Sequence, residues 1–241
     1  MTGLGTIINT GAIVAGGVCG HFFGRLLKDR YQDTLYMACG VTVLFIGIGG
    51  AMKGMLRIEG GTLGCGREML AVICLALGGL IGEIIDLEDR FERFGEWLKR
   101  KTGNARDKNF VNGFVTASLT VCIGAMAIVG AIQDGLTGDW SILGTKAVLD
   151  LIIVMVMTCS MGKGCAFSAI PVFLLQGSVT LLAGLLKPIM TDLAMSYLSL
   201  VGSILIFCVG VNLVWGKKVR VANLLPSIVF AVAAAFLPVS F

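Results

Sequence analysis

What constrains this chain most is that apolar runs of about twenty residues follow one another along its whole length, with only short polar breaks between them. A run of that length crosses a hydrocarbon core as one helix, because the helix satisfies its own backbone hydrogen bonds. With 56% hydrophobic and 14% charged residues, and a mean hydropathy of +0.90, a water-soluble fold would have too little polar surface. The short alternating segments of a membrane barrel are absent. The opening "MTGLGTIINTGAIVAGG" has no basic stretch before its apolar run, so it reads as the first membrane segment and not as a removable signal.

Eight segments are expected, at about 3 to 24, 35 to 53, 68 to 86, 110 to 133, 141 to 161, 165 to 186, 194 to 215 and 221 to 238. Only "MGKG" divides the fifth from the sixth, where glycines and Lys163 suit a tight reversal. Basic residues test the count, since positive loops stay in the cytoplasm. Under this topology fourteen of the nineteen Lys and Arg fall on one side, among them Arg25, Lys28, Arg93, Lys163, Lys217 and Arg220. Lys53, Arg57, Arg67 and Lys187 fall on the other, and Lys146 lies within a segment. Both termini are therefore expected outside. The expected class is an all-α polytopic membrane protein of about eight transmembrane helices, forming one domain over residues 1–241.

Residues 87–109 form the one sizeable polar excursion. Leu87, Phe91, Phe94, Trp97 and Leu98 share a face at helical spacing there, as in an amphipathic helix lying on the cytoplasmic membrane surface. It reads either as a partner- or lipid-sensing element or as a solvated connector. The net charge of +4 reflects orientation in the membrane, so no nucleic-acid partner is inferred.

Gly16, Gly20 and Gly24 repeat every four residues, as do Gly50 with Gly54 and Gly78 with Gly82. Such faces allow close helix packing; a permeation path lined by small residues is the alternative. The eight cysteines show no CxxC and no Cys/His metal spacing, so neither a disulfide framework nor a metal or cofactor is expected. A weak echo relates "GRLLKDRYQDTLYMACGVTVLFIGIGGAMKG" to "GLLKPIMTDLAMSYLSLVGSILIFCVGVNLVWGKK". In the eight-segment topology the two run in opposite directions, which is an inverted internal repeat. The similar "TVCIGAMAIVG" of the fourth segment shows that membrane composition generates some of this likeness.

Several stretches carry a family resemblance: "GTIINTGAIVAGG", "GGLIGEIIDLEDRFERFGEWL", "FVNGFVTASLTVCIGAMAIVGAIQDGLTGD", "KAVLDLI", "AFSAIPVFLLQGSVTLLAG" and "VRVANLLPSI". Across nearly its whole length the chain resembles the uncharacterised bacterial inner-membrane family that includes YdfK and YqgA, domain of unknown function 554. The resemblance implies a bacterial plasma-membrane protein. It supplies no substrate or mechanism.

A site must therefore be argued from residues that are costly in lipid. A charge at the centre of a spanning helix costs about 2.5–3.5 kcal/mol on insertion scales. Counting from Ser141, Lys146 lies roughly 7 to 8 Å and Asp150 roughly 13 to 14 Å into its segment. Lys146 has a stem long enough to snorkel outward; Asp150 has not. Four residues apart, the two share a face and can pair. Either the pair neutralises itself against a neighbouring helix, or Asp150 binds a cation or proton whose affinity Lys146 tunes. Asp134, next to Gln133, is a competing partner for Lys146 across the short "GLTGDW" turn. Gln176, Asn9 and Thr10 interrupt apolar segments and are further candidates for binding a solute or ion. His21 and Glu83, near the cytoplasmic ends of their segments, are candidates for a proton path or else simply interfacial.

The sequence holds no HExxH, Gly-x-Ser-x-Gly, P-loop or dinucleotide fingerprint, so no enzyme is expected. Without an ATP-binding motif, transport would be secondary or passive. The expected function is a secondary transporter or channel for a small solute or ion; the alternative is a membrane sensor or scaffold acting through residues 87–109. The expected partners are the bilayer, the solute or ion, and further copies of the chain.

Overall fold

The computed structural model describes residues 2–59, 62–105 and 107–237. Arg106 and the side chain of Arg57, both counted in the charge argument, lie outside what is described. The helices follow the apolar runs: α1 (Leu4–Leu26), α2 (Asp29–Met55), α3 (Glu68–Ile85), α4 (Leu87–Lys101), α5 (Phe110–Cys122), α6 (Ala125–Thr137) and α7 (Ser141–Met161). Next come α8 (Ala169–Leu181), α9 (Ala183–Leu186), α10 (Asp192–Trp215) and α11 (Pro226–Ala234). Two strands, β1 (Leu56–Glu59) and β2 (Thr62–Cys65), make an antiparallel hairpin between α2 and α3.

Among the described residues six helices are long and apolar enough to cross a membrane, and α5 with α6 makes a seventh if that bent pair is one span. The eighth expected segment is shorter, because its apolar helix runs only over Val221–Ala234. At 1.5 Å per residue that is about 21 Å, against about 30 Å of hydrocarbon. The reversal after α7 falls at Gly162, whose φ of 91° suits glycine. A 3-10 turn, Lys163–Ser168, then leads into α8. Large apolar side chains such as Ile84, Leu181 and Phe45 stand exposed, as a surface facing lipid requires.

Glycine faces set the helix pairing. Gly16, Gly20 and Gly24 of α1 lie against Leu151, Met155 and Cys159 of α7. The numbers rise together, so α1 and α7 are parallel. Gly47, Gly50 and Gly54 of α2 meet Phe207, Ser203 and Leu200 of α10, and Gly78 and Gly82 of α3 meet Ser227 and Asn223. In these pairs one number rises as the other falls, so both are antiparallel. Backbones this close gain dispersion contacts that the hydrophobic effect cannot supply between helices in lipid.

The apolar face expected along α4 packs in part on α5. Phe91 stacks on Phe114 of α5 at 6.2 Å, Gly95 faces the same ring, and Leu98 is buried. Much of the apolar face of α4 is therefore covered by its own chain. Phe94 and Trp97, 5.7 Å apart, remain exposed.

Candidate functional site

In α7 the Lys146 ammonium donates to both Asp150 oxygens, at 2.7 and 2.5 Å, and the two residues are 7% and 3% exposed. A third hydrogen bond, 2.9 Å long, goes to the Val121 carbonyl near the end of α5. Lys146 thus does not snorkel outward, as its position allowed; it turns inward. The reason lies in another helix. After Cys122 the chain leaves α-geometry at Ile123 and Gly124, and α6 departs at 62° to α5. In a continuous helix the Val121 carbonyl would accept from the amide four residues on, and the bend removes that donor. The ammonium replaces it.

Asn9 of α1 is tied to a further helix. Its Nδ2 donates to Gln176 Oε1 of α8 at 3.2 Å. Two buried polar groupings result, Asn9 with Gln176 across α1 and α8, and Asp150, Lys146 and Val121 across α7 and α5. Asn9 Oδ1 and Gln176 Nε2 are buried and have no partner among the described residues. Unused hydrogen-bonding capacity at that depth costs about 1–3 kcal/mol per group.

The other candidates lie apart from the pair. Asp134 does not compete for Lys146; its Oδ2 accepts the Gly5 N–H at 3.0 Å, and its Oδ1 has no partner among the described residues. Gly5 is in the first turn of α1, where free amides favour a carboxylate. Gln133 donates to Asp139 at 2.5 Å in the turn before α7. The Ser141 N–H holds the Asp139 carboxyl below its ordinary value. Thr10 bonds back to the Thr6 carbonyl, while Thr6 and Thr180 hydroxyls meet at 3.3 Å, extending the contact of α1 with α8.

His21 and Glu83 are not brought together among the described residues. His21 borders a cleft with Arg25, Gln32 and Asp107. Glu83 pairs with Arg220 and accepts from Asn223 Nδ2 at 2.5 Å. That bond belongs to a cluster joining the α3–α4 corner to the segment before α11. Glu88 is buried, with Oε2 accepting the Ala222 N–H at 2.9 Å and Oε1 pairing with Lys217 at 3.0 Å. Burial lowers the Lys217 pKa, but bonds to Glu92 and Glu88 outweigh it and leave the pKa raised.

Sequence reading missed Glu88, which belongs by composition to a solvated face, and it missed the break at Ile123 and Gly124. The glycine inside "TVCIGAMAIVG" was the available signal for the break. Among the described residues no group of three His, Cys, Asp or Glu could hold a metal ion.

The family described as "Protein of unknown function (DUF554)" matches residues 4–236. The "Uncharacterized membrane protein YdfK" of Bacillus subtilis (strain 168) is 33% identical over 232 residues, covering 96% of this chain and 95% of its own. The "Uncharacterized protein YqgA" of Escherichia coli (strain K12) is 29% identical, covering 95% and 94%. No solved structure matches.

Proposed function

We propose that this chain, which belongs to the DUF554 family of proteins of unknown function, is a secondary transporter or channel for a small solute or ion. Asp150 binds the proton or cation, and Lys146 is its tethered competitor. The observation that carries this reading is the Lys146–Asp150 pair buried against a break in an apolar helix pair, where Lys146 already has a second acceptor in Val121. Breaking a buried ion pair leaves an uncompensated charge and costs about 3–5 kcal/mol. A proton or cation arriving at Asp150 avoids that cost, provided the ammonium keeps the Val121 carbonyl and water or solute takes its other bonds. Broken helices bordering buried charge recur at carrier binding sites.

Further support comes from pairing. Gly17 of α1 meets Ala166 and Asn9 meets Gln176, so α1 runs antiparallel to the Lys163–Leu181 span. With the α2–α10 and α3–α11 pairs, three successive helices each oppose a later partner, as an inverted repeat would arrange them. In this reading the protein sits in the bacterial inner membrane with both termini outside, because the basic loops gather at the α4 end. The role is not enzymatic. The scaffold alternative loses force because α5 covers much of the apolar face of α4.

Flux in proteoliposomes tests the proposal. Asp150→Asn should abolish pH- or cation-driven uptake while the protein stays folded; unchanged uptake would refute the role of Asp150.

A further inference from the structure

A cavity of about 430 Å³ opens at the α4 end of the bundle and is lined from α2, α4, α5 and α10. Its volume is in the range of small-molecule sites, roughly 300–1,000 Å³. One wall is a stripe of α5 at helical spacing, Asn112, Val115, Thr116 and Leu119.

The charges around it are unequally satisfied. Lys217 pairs with Glu88 at 3.0 Å and with Glu92 at 2.5 Å, and Glu88 also accepts the Ala222 N–H. Lys108, which also lines the cavity, forms no ion pair among the described residues. The Tyr36 hydroxyl has no hydrogen bond there either, and Asn112 uses only its Oδ1, toward Thr116 at 3.5 Å. An ammonium and an amide NH₂ can only donate, and a phenol can donate. On the wall formed by Lys108, Asn112 and Tyr36 the capacity left over is donor capacity, which an oxyanion complements, while across from it the Glu92 carboxylate is held by Lys217 through one oxygen.

Its inner end approaches the buried pair. Leu119 is buried, and Cys122 follows about 4.5 Å further along the helix axis. Val121, the residue before Cys122, accepts the Lys146 ammonium at 2.9 Å. Leu119, Val209 and Leu213 are buried and give the cavity its apolar lining.

We propose that this cavity is the entry site for a small oxyanion, a carboxylate or a phosphate, received by Lys108, Asn112 and Tyr36 and passed inward beyond Leu119 toward Lys146. The inference rests on the carrier reading and supplies its substrate class and its side of entry.

The test uses full-length protein in proteoliposomes, with native cysteines replaced and Thr116→Cys introduced. An impermeant methanethiosulfonate reagent should modify that cysteine from the α4 side alone. Acetate or inorganic phosphate, at constant ionic strength, should slow the reaction by about tenfold, and the more protective anion identifies the class. Lys108→Gln should remove the protection and Lys108→Arg retain it. Labelling from the opposite side, or protection by neither anion, would overturn the proposal. If the cysteine-depleted protein fails to fold, the melting temperature of the native sequence decides: it should rise with acetate or phosphate, and not in Lys108→Gln. No rise with either anion would overturn it. Loss of flux in Asp150→Asn together with an unprotected cavity would leave the carrier reading standing and end this one.

Discussion

Asn9 and Gln176, on antiparallel stretches of α1 and α8, share one hydrogen bond and leave one amide atom each without a partner among the described residues. Two amides at this depth could have been two leucines at lower desolvation cost.

Replacing Gln176 by Leu should cost about 1–3 kcal/mol, because Asn9 then loses its partner while still buried. The double change Asn9→Leu with Gln176→Leu should recover much of that loss and still abolish uptake. Thermal melts with flux assays on the same preparations check this; full uptake in the double variant would remove both residues from the site.

The ion pair predicts a thermodynamic cycle. Lys146→Met alone strands a buried carboxylate and should destabilise by about 3–5 kcal/mol, whereas Lys146→Met with Asp150→Leu should come within about 1–2 kcal/mol of the original protein. A single variant as stable as the parent would show that the pair is hydrated and not buried.

Gly16 and Gly11 offer a packing contrast within α1. A Cβ at Gly16 runs into the Leu151 backbone, while at Gly11 it meets nothing within 4 Å. Gly16→Ala should lower the melting temperature by several degrees, on the order of 1–3 kcal/mol of overpacking strain. Gly11→Ala should be neutral or raise stability by up to about 1 kcal/mol through helix propensity.

Lys217 predicts a pH window. Its pKa is raised in the folded state from 10.5, so the stability it contributes is fully present below that value and is lost as pH climbs through the folded pKa. The melting-temperature difference between the parent and Lys217→Gln should stay level through neutral pH and shrink only in the alkaline range above 10.5. A difference that shrinks near neutrality would place the control in another group.

Helix positions were legible along the chain because length and apolarity are local: α1, α3, α7 and α10 fall close to their expected segments. The tight reversal at Gly162 was legible for the same reason, since "MGKG" carries its own turn chemistry. The four-residue spacing of Lys146 and Asp150 also marked them as partners. The roles of Asp134 and Glu88 were not legible. A carboxylate seeks whichever amides are unpaired nearby, and those belong to Gly5 and Ala222, both more than 120 residues away in sequence.

By itself, then, the sequence determined a helical membrane protein, the approximate place of each apolar helix, and which charges would have to be compensated. Tertiary structure alone decided how they are compensated. The long lysine stem could have reached either surface; it turns inward because a break in a different helix leaves Val121 without its amide donor. Periodicity records which face of a helix is apolar, but a buried polar group is satisfied by atoms whose proximity exists only once the helices have packed.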